Sequence, residues 1–90
     1  MNKKYVIITP CYNEGEGIIL FLKELELVVK KIGANFVVVI TDDSSEDNTL
    51  ALLKDFNFES ENISKKLITL AYNVGHQKAI AHGLAYAKKI

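Results

Sequence analysis

The residues best suited to chemistry are two adjacent carboxylates, Asp42 and Asp43, inside the stretch Thr41-Asp42-Asp43-Ser44-Ser45-Glu46-Asp47. An unbroken apolar run, Phe36 to Ile40, leads into them, and helix-like sequence from about Asp47 leads away. Like charges in contact raise each other's pKa, so an ionised pair at the end of a buried strand needs a ligand, a metal or a helix N-terminus to hold it. In an α/β sheet the carboxyl ends of the strands are where ligands bind. The plainer reading is that Asp43 and Asp47 cap and charge-complement the helix that follows. The stretch by itself leaves both readings open.

Two further polar clusters follow apolar runs. Pro10-Cys11-Tyr12-Asn13-Glu14-Gly15 comes after Tyr5 to Thr9, and Asn73 to Lys78 comes after Leu67 to Leu70. Tyr12 offers a flat face for a base, Asn13 an amide, and Asp43 an acceptor for a base or ribose. Tyr12 also reads as a loop aromatic packed on a sheet edge, and Asn73 as a helix N-cap. His76 and His82 do not share a helical face and have no partner at metal-ligand spacing. Cys11 lacks a neighbouring cation that would make it a reactive thiolate.

These clusters must be positioned by the elements between them. Tyr5 to Thr9, β-branched and aromatic, reads as a strand buried on both faces, over about Lys4–Thr9. Asn13 with Glu16 forms a capping-box pattern for a helix over about Gly15 to Ile32, with Ile18, Phe21, Leu22, Leu25, Val28, Val29 and Ile32 as its apolar stripe. The second strand spans Asn35–Thr41. Ser44 or Ser45 then caps a helix whose stripe is Leu50, Leu53 and Phe56. Asn57 to Lys66 is polar and reads as a loop, and Lys66–Leu70 as a third strand. Ala79, Ile80, Gly83, Leu84 and Ala87 mark a last helix with a small-residue face suited to close packing. Strands alternating with helices imply a three-layer, Rossmann-like α/β fold with a parallel sheet. Its three polar clusters then converge on one edge.

Composition narrows the function. Ninety residues with 49% hydrophobic content make one small domain, 1–90, with a real core. Eleven basic and eleven acidic residues cancel, which argues against a nucleic-acid footprint. One cysteine permits no internal disulfide and fits a reducing, cytoplasmic compartment. No apolar run approaches a bilayer span, and the N-terminus reads as a strand start and not a signal peptide. Gly15-Glu16-Gly17 hints at a dinucleotide fingerprint, but Leu20 stands at the third glycine and Glu16 sets negative charge where a pyrophosphate would lie. A dinucleotide-binding oxidoreductase fragment is therefore disfavoured. No P-loop is present.

Three segments together resemble a known family. Val6-Ile7-Ile8-Thr9-Pro10-Cys11-Tyr12-Asn13-Glu14 is similar to the V-I-I-P-x-Y-N-E opening of family-2 inverting glycosyltransferases with the GT-A fold. Val38-Val39-Ile40-Thr41-Asp42-Asp43-Ser44-Ser45-Glu46-Asp47-Asn48-Thr49 resembles their V-V-D-D-G-S-x-D-x-T. Leu70-Ala71-Tyr72-Asn73-Val74-Gly75-His76-Gln77-Lys78-Ala79 resembles the R-N-x-G-x-x-x-A of the dolichol- and polyprenyl-phosphate sugar transferase branch. Each motif alone is weak; the three in order cover nearly the whole chain.

The resemblance implies a nucleoside-diphosphate sugar bound across the strand ends and transferred to a lipid-phosphate or saccharide acceptor. Pro10, Tyr12 and Glu14 would line the nucleoside pocket. Asp43 would hydrogen-bond the base or ribose with Thr41 beside it, and Asn73 and Gly75 would shape the wall near the diphosphate. Two departures stand out: Ala71-Tyr72 replaces the arginine, and Ser44 replaces the glycine after the acidic pair, which matters if that position needs positive φ. The family's metal-binding D-x-D and its catalytic base come later in the domain. The ninety residues thus correspond to the N-terminal half of a GT-A domain, with no catalytic residue and no metal ligand of their own. The full domain would use a divalent metal, Mg or Mn; this part would bind none. The expectation is a fragment inactive in transfer by itself, in the cytoplasm or at the cytoplasmic face of a membrane, and prone to homo-oligomerise over an unpaired sheet edge. The alternative is a non-catalytic nucleotide-binding or self-assembly module.

Overall fold

The structure is a computed structural model that describes residues 3–90. Three parallel strands form one sheet in the order β1-β2-β3: β1 (Lys4–Cys11), β2 (Asn35–Asp42) and β3 (Ile63–Thr69). Helices α1 (Glu16–Val29), α2 (Thr49–Asp55) and α3 (His76–Ala87) alternate with them. The register pairs Cys11 with Asp42 and Asp42 with Thr69, so all three strands end level at one edge.

The two faces of β2 explain the layering. Successive side chains point to opposite faces of a strand. Val38 and Ile40 pack with Ile18, Leu22 and Val29 of α1 and Leu53 of α2. Val39 and Thr41 point the other way, to Gly83 of α3. Both faces are covered, which is why Phe36 to Ile40 is apolar without alternation. A Cβ on Gly83 would lie 2.6 Å from Ile8 Cγ2 and 3.2 Å from Thr41 Oγ1, so the glycine lets α3 sit down on β1 and β2.

Several local expectations are corrected. β1 is not buried on both faces: it is an edge strand, and Tyr5 and Val6 at its start are exposed. α1 ends at Val29, and Phe21, Val28 and Ile32 of the expected stripe face solvent. There Asn62 Nδ2 donates to the carbonyls of Val29, Ile32 and Ala34, closing the helix end from a distant loop. β3 begins at Ile63, inside the stretch expected to be loop. Ser64 and Lys66 are exposed there because α3 packs on β1 and β2, leaving that face of β3 bare. Lys65 Nζ instead donates to the Leu53 and Lys54 carbonyls at the end of α2. Burial pushes the Lys65 ammonium below its ordinary pKa, with Asp55 pulling the other way.

Candidate functional site at the carboxyl edge of the sheet

Three loops leave the level strand ends, and the acidic stretch ties them together. Asp42 and Asp43 are each 1% exposed. Asp42 turns back on its own loop: its Oδ1 accepts from the Ser45 hydroxyl at 2.5 Å and its Oδ2 from the Ser45 N–H at 3.2 Å. Asp43 turns to the third loop, where Oδ1 accepts from the Val74 N–H at 2.7 Å and Oδ2 from the Gly75 N–H at 2.8 Å. Its own N–H donates to the Cys11 carbonyl, and its carbonyl accepts from Asn73 Nδ2 at 3.2 Å. Asp43 thus joins the last residue of β1 to the loop after β3, from the start of its own loop after β2.

The charge pair is therefore held apart by two different sets of donors. Asp43 serves a helix N-terminus, but that of α3 and not of the helix that follows it. The N–H groups of Val74 and Gly75 precede α3, where an anion is favoured. Gly75 has φ 90 and ψ 157, a conformation open essentially only to glycine, and this turns its N–H towards Asp43.

The first two loops are laced separately. Asn13 Oδ1 accepts from the Glu46 N–H at 2.7 Å and the Asp47 N–H at 3.4 Å, and the Asn13 N–H donates to Ser45 Oγ at 3.0 Å. The Gly15 N–H donates to Thr49 Oγ1 at 2.7 Å. The Thr49 hydroxyl and N–H both donate to Asp47 Oδ1, and these hydrogen bonds, the hydroxyl's first, hold the Asp47 carboxyl below its ordinary pKa. Asn13 is not the cap of α1: Gly15 occupies that position, with φ 53 and no side-chain cap. Asn48, and not Ser44 or Ser45, stands at the cap of α2. Asn73 does not cap α3; it holds the Asp43 carbonyl.

The remaining anticipated residues take distinct places. Pro10 and Tyr12 are half-buried at the end of β1, and Glu14 is exposed in the loop beyond. Asn73 is exposed and Gly75 half-buried in the third loop. Thr41 is fully buried under α3, and its hydroxyl has no hydrogen-bond partner. Cys11 is also fully buried; burial first, then the charges of Glu14 and Asp42, push its thiol up to about 12, so it stays protonated and unreactive. Sequence reasoning did not single out Ser45 and Thr49 as inter-loop ties. Their signal was their place as the S and T of the family-like acidic motif, but the backbone groups they tie, at Asn13 and Gly15, lie in a different loop.

Among the described residues, no group of three or more His, Cys, Asp or Glu side chains converges as a metal site would. No described helix is long and apolar enough to cross a membrane. Concavities lined by Lys30, Gly33, Asn35 and Asn62 lie at the amino-terminal ends of the strands, away from this edge.

An open parallel sheet with polar loops gathered at its carboxyl edge is the architecture of nucleotide-binding α/β proteins. The sequence model of Glycosyl transferase family 2 matches residues 6–89, so the chain belongs to that family. It is 38% identical over 91 residues to the uncharacterized glycosyltransferase YkoT of Bacillus subtilis (strain 168), covering 91% of this chain and 26% of the relative. It is 37% identical over 82 residues to the uncharacterized protein MJ0544 of Methanocaldococcus jannaschii, covering 91% of this chain and 33% of that one. The undecaprenyl-phosphate 4-deoxy-4-formamido-L-arabinose transferase of Pseudomonas fluorescens (strain SBW25) is 30% identical over 77 residues, covering 86% and 22%. The chain thus spans between a fifth and a third of the length of these relatives.

Proposed function

We propose that these residues form the nucleotide-binding part of a glycosyltransferase domain that takes a nucleoside-diphosphate sugar as donor. The observation that carries this reading is the junction at Asp43, which joins the end of β1 and the loops after β2 and β3 at one edge, where Asn13 and Gly15 tie in the loop after β1. The topology supports it. α1 and α2 pack together while α3 lies over β1 and β2 on the opposite face, and in open α/β sheets of this kind ligands bind outside the carboxyl ends of the strands.

In this reading Tyr12 gives the base a face to stack on. Asp43 accepts a hydrogen bond from base or ribose, since each of its carboxylate oxygens keeps a second lone pair beside the backbone N–H it already holds. At 1% exposure it meets the ligand only when neighbouring side chains swing aside. Pro10 and Thr41 form the floor, Glu14 borders the nucleoside, and Asn73 and Gly75 form the wall near the diphosphate. The acceptor is a lipid phosphate or a saccharide; the lipid-phosphate alternative is supported by the printed name of the Pseudomonas relative. Transfer itself needs groups that act in the transition state, and the part assigned to these residues is the binding of the donor. The family's divalent metal has no ligand set among the described residues. We place the domain in the cytoplasm.

A second reading, self-assembly, is favoured by one observation: the edge strand β1 exposes Tyr5 and Val6 beside unpaired backbone groups. Thermal unfolding with increasing uridine or guanosine diphosphate tests the first reading, because a ligand that binds only the native state raises the midpoint. A rise with one of them, lost in Tyr12→Ala, is expected. No rise with any nucleoside diphosphate contradicts it.

A further inference from the structure

We propose that Asn13 is a positioning residue for the nucleotide site, acting on the ligand only through its neighbours Tyr12 and Glu14. The inference rests on the nucleotide-site reading above and adds a residue that the reading does not use. Asn13 sits between the two residues assigned to the nucleoside, yet its own side chain turns away to the loop after β2. Its Oδ1 takes the Glu46 N–H at 2.7 Å, and its N–H reaches Ser45 Oγ at 3.0 Å. The Ser45 hydroxyl passes its own hydrogen to Asp42 Oδ1, and Asp42 is buried at the end of β2. A hydroxyl can accept and donate at once, so Asn13, Ser45 and Asp42 form one connected line from the loop to the sheet.

The backbone makes the same point. Asn13 has φ 50, in the left-handed region that asparagine tolerates better than most residues. This turn lets Asn13 face the second loop while the chain on either side stays at the site. Asn13 is exposed and contributes nothing to the apolar core, so removing its amide loosens the loop without opening a cavity. A loose loop must be ordered again when ligand binds, and that ordering weakens affinity.

Three variants of the full 90-residue chain separate the roles. N13G keeps the positive φ and loses the acceptor. N13D keeps an acceptor oxygen and is compared at high ionic strength, where the added charge beside Glu14, Glu46 and Asp47 is screened. S45A breaks the line to Asp42. Amide hydrogen exchange at Glu46 reads the lacing in the free protein, and NMR titration with uridine and guanosine diphosphate in the presence of magnesium chloride reads affinity. The expected result is a protected Glu46 amide in the wild type, faster exchange in N13G, and affinity weaker by about three- to tenfold, the equivalent of one modest hydrogen bond. The unfolding midpoint stays close to that of the wild type. N13D recovers both exchange protection and affinity, and S45A falls between. A wild-type chain that binds while N13G binds equally tightly overturns the role of Asn13 alone, as does an unprotected Glu46 amide in the wild type. A wild-type chain with the Glu46 amide protected that binds neither diphosphate overturns the nucleotide-site reading and this role with it.

Discussion

Asp43 Oδ2 accepts the backbone N–H of Gly75 at 2.8 Å, across a separation of 32 residues. With the Val74 N–H on Oδ1, this fixes the start of α3 against the end of β2. Replacing Asp43 with alanine removes two charge-assisted hydrogen bonds and is expected to cost about 2–4 kcal/mol of stability in urea unfolding. Asp43→Asn keeps one acceptor oxygen and should lose less. Equal stability of all three proteins would show that the junction contributes nothing to the fold.

Gly83 of α3 and Thr41 of β2 face one another where the helix meets the sheet, and substitutions at the two are expected to have opposite effects. Gly83→Ala forces a methyl to within 2.6 Å of Ile8 Cγ2, on a β-branched side chain with little rotamer freedom. Overpacking of about 1–3 kcal/mol exceeds the gain of about 1 kcal/mol in helix propensity, so this variant unfolds at lower denaturant. Thr41→Val removes a buried hydroxyl without a partner and should raise stability by about 1 kcal/mol. A destabilised Thr41→Val would mean that the hydroxyl is satisfied in solution.

Ser44 has φ 59, so the position where the family carries glycine does require the left-handed region. Ser44→Gly is expected to stabilise the chain by about 0.5–1 kcal/mol, as relief of side-chain strain outweighs the extra freedom of the unfolded glycine. Denaturation midpoints of the two proteins decide it.

The Cys11 thiol, pushed by burial up to about 12 from its ordinary value, ties stability to alkaline pH. The folded state favours the protonated thiol, so this contribution is complete below about pH 9 and is lost progressively as pH rises towards 12. A Cys11→Ala variant, whatever its stability at neutral pH, should lose less than the wild type between pH 9 and 11. At pH 8 the native thiol should react with iodoacetamide far more slowly than the urea-unfolded thiol. Equal rates would place Cys11 at the surface.

What could be read from the sequence depended on how local the cause was. β2 announced itself because both faces are buried, which leaves no polar residue from Phe36 to Ile40. β3 was placed three residues late because nothing covers Ser64 and Lys66, so half of the strand carries loop-like residues. The carboxylate pair was recognisable as needing donors, yet the donors of Asp43 are backbone N–H groups that no residue type reveals. Asn13 reads locally as a helix cap. Only the fold brings Glu46 close enough to take its amide oxygen.

In the function proposed above, the three laced strand ends bind a nucleoside diphosphate. The most direct test is an NMR titration of the ¹⁵N-labelled chain with uridine and guanosine diphosphate, following every backbone amide. Saturable shifts are expected at Tyr12 to Glu14, at Asp43 and Ser44, and at Asn73 to Gly75, with Lys30 to Asn35 at the far end of the sheet unmoved. Shifts confined to that far end, or none at either end with any nucleoside diphosphate, would contradict it.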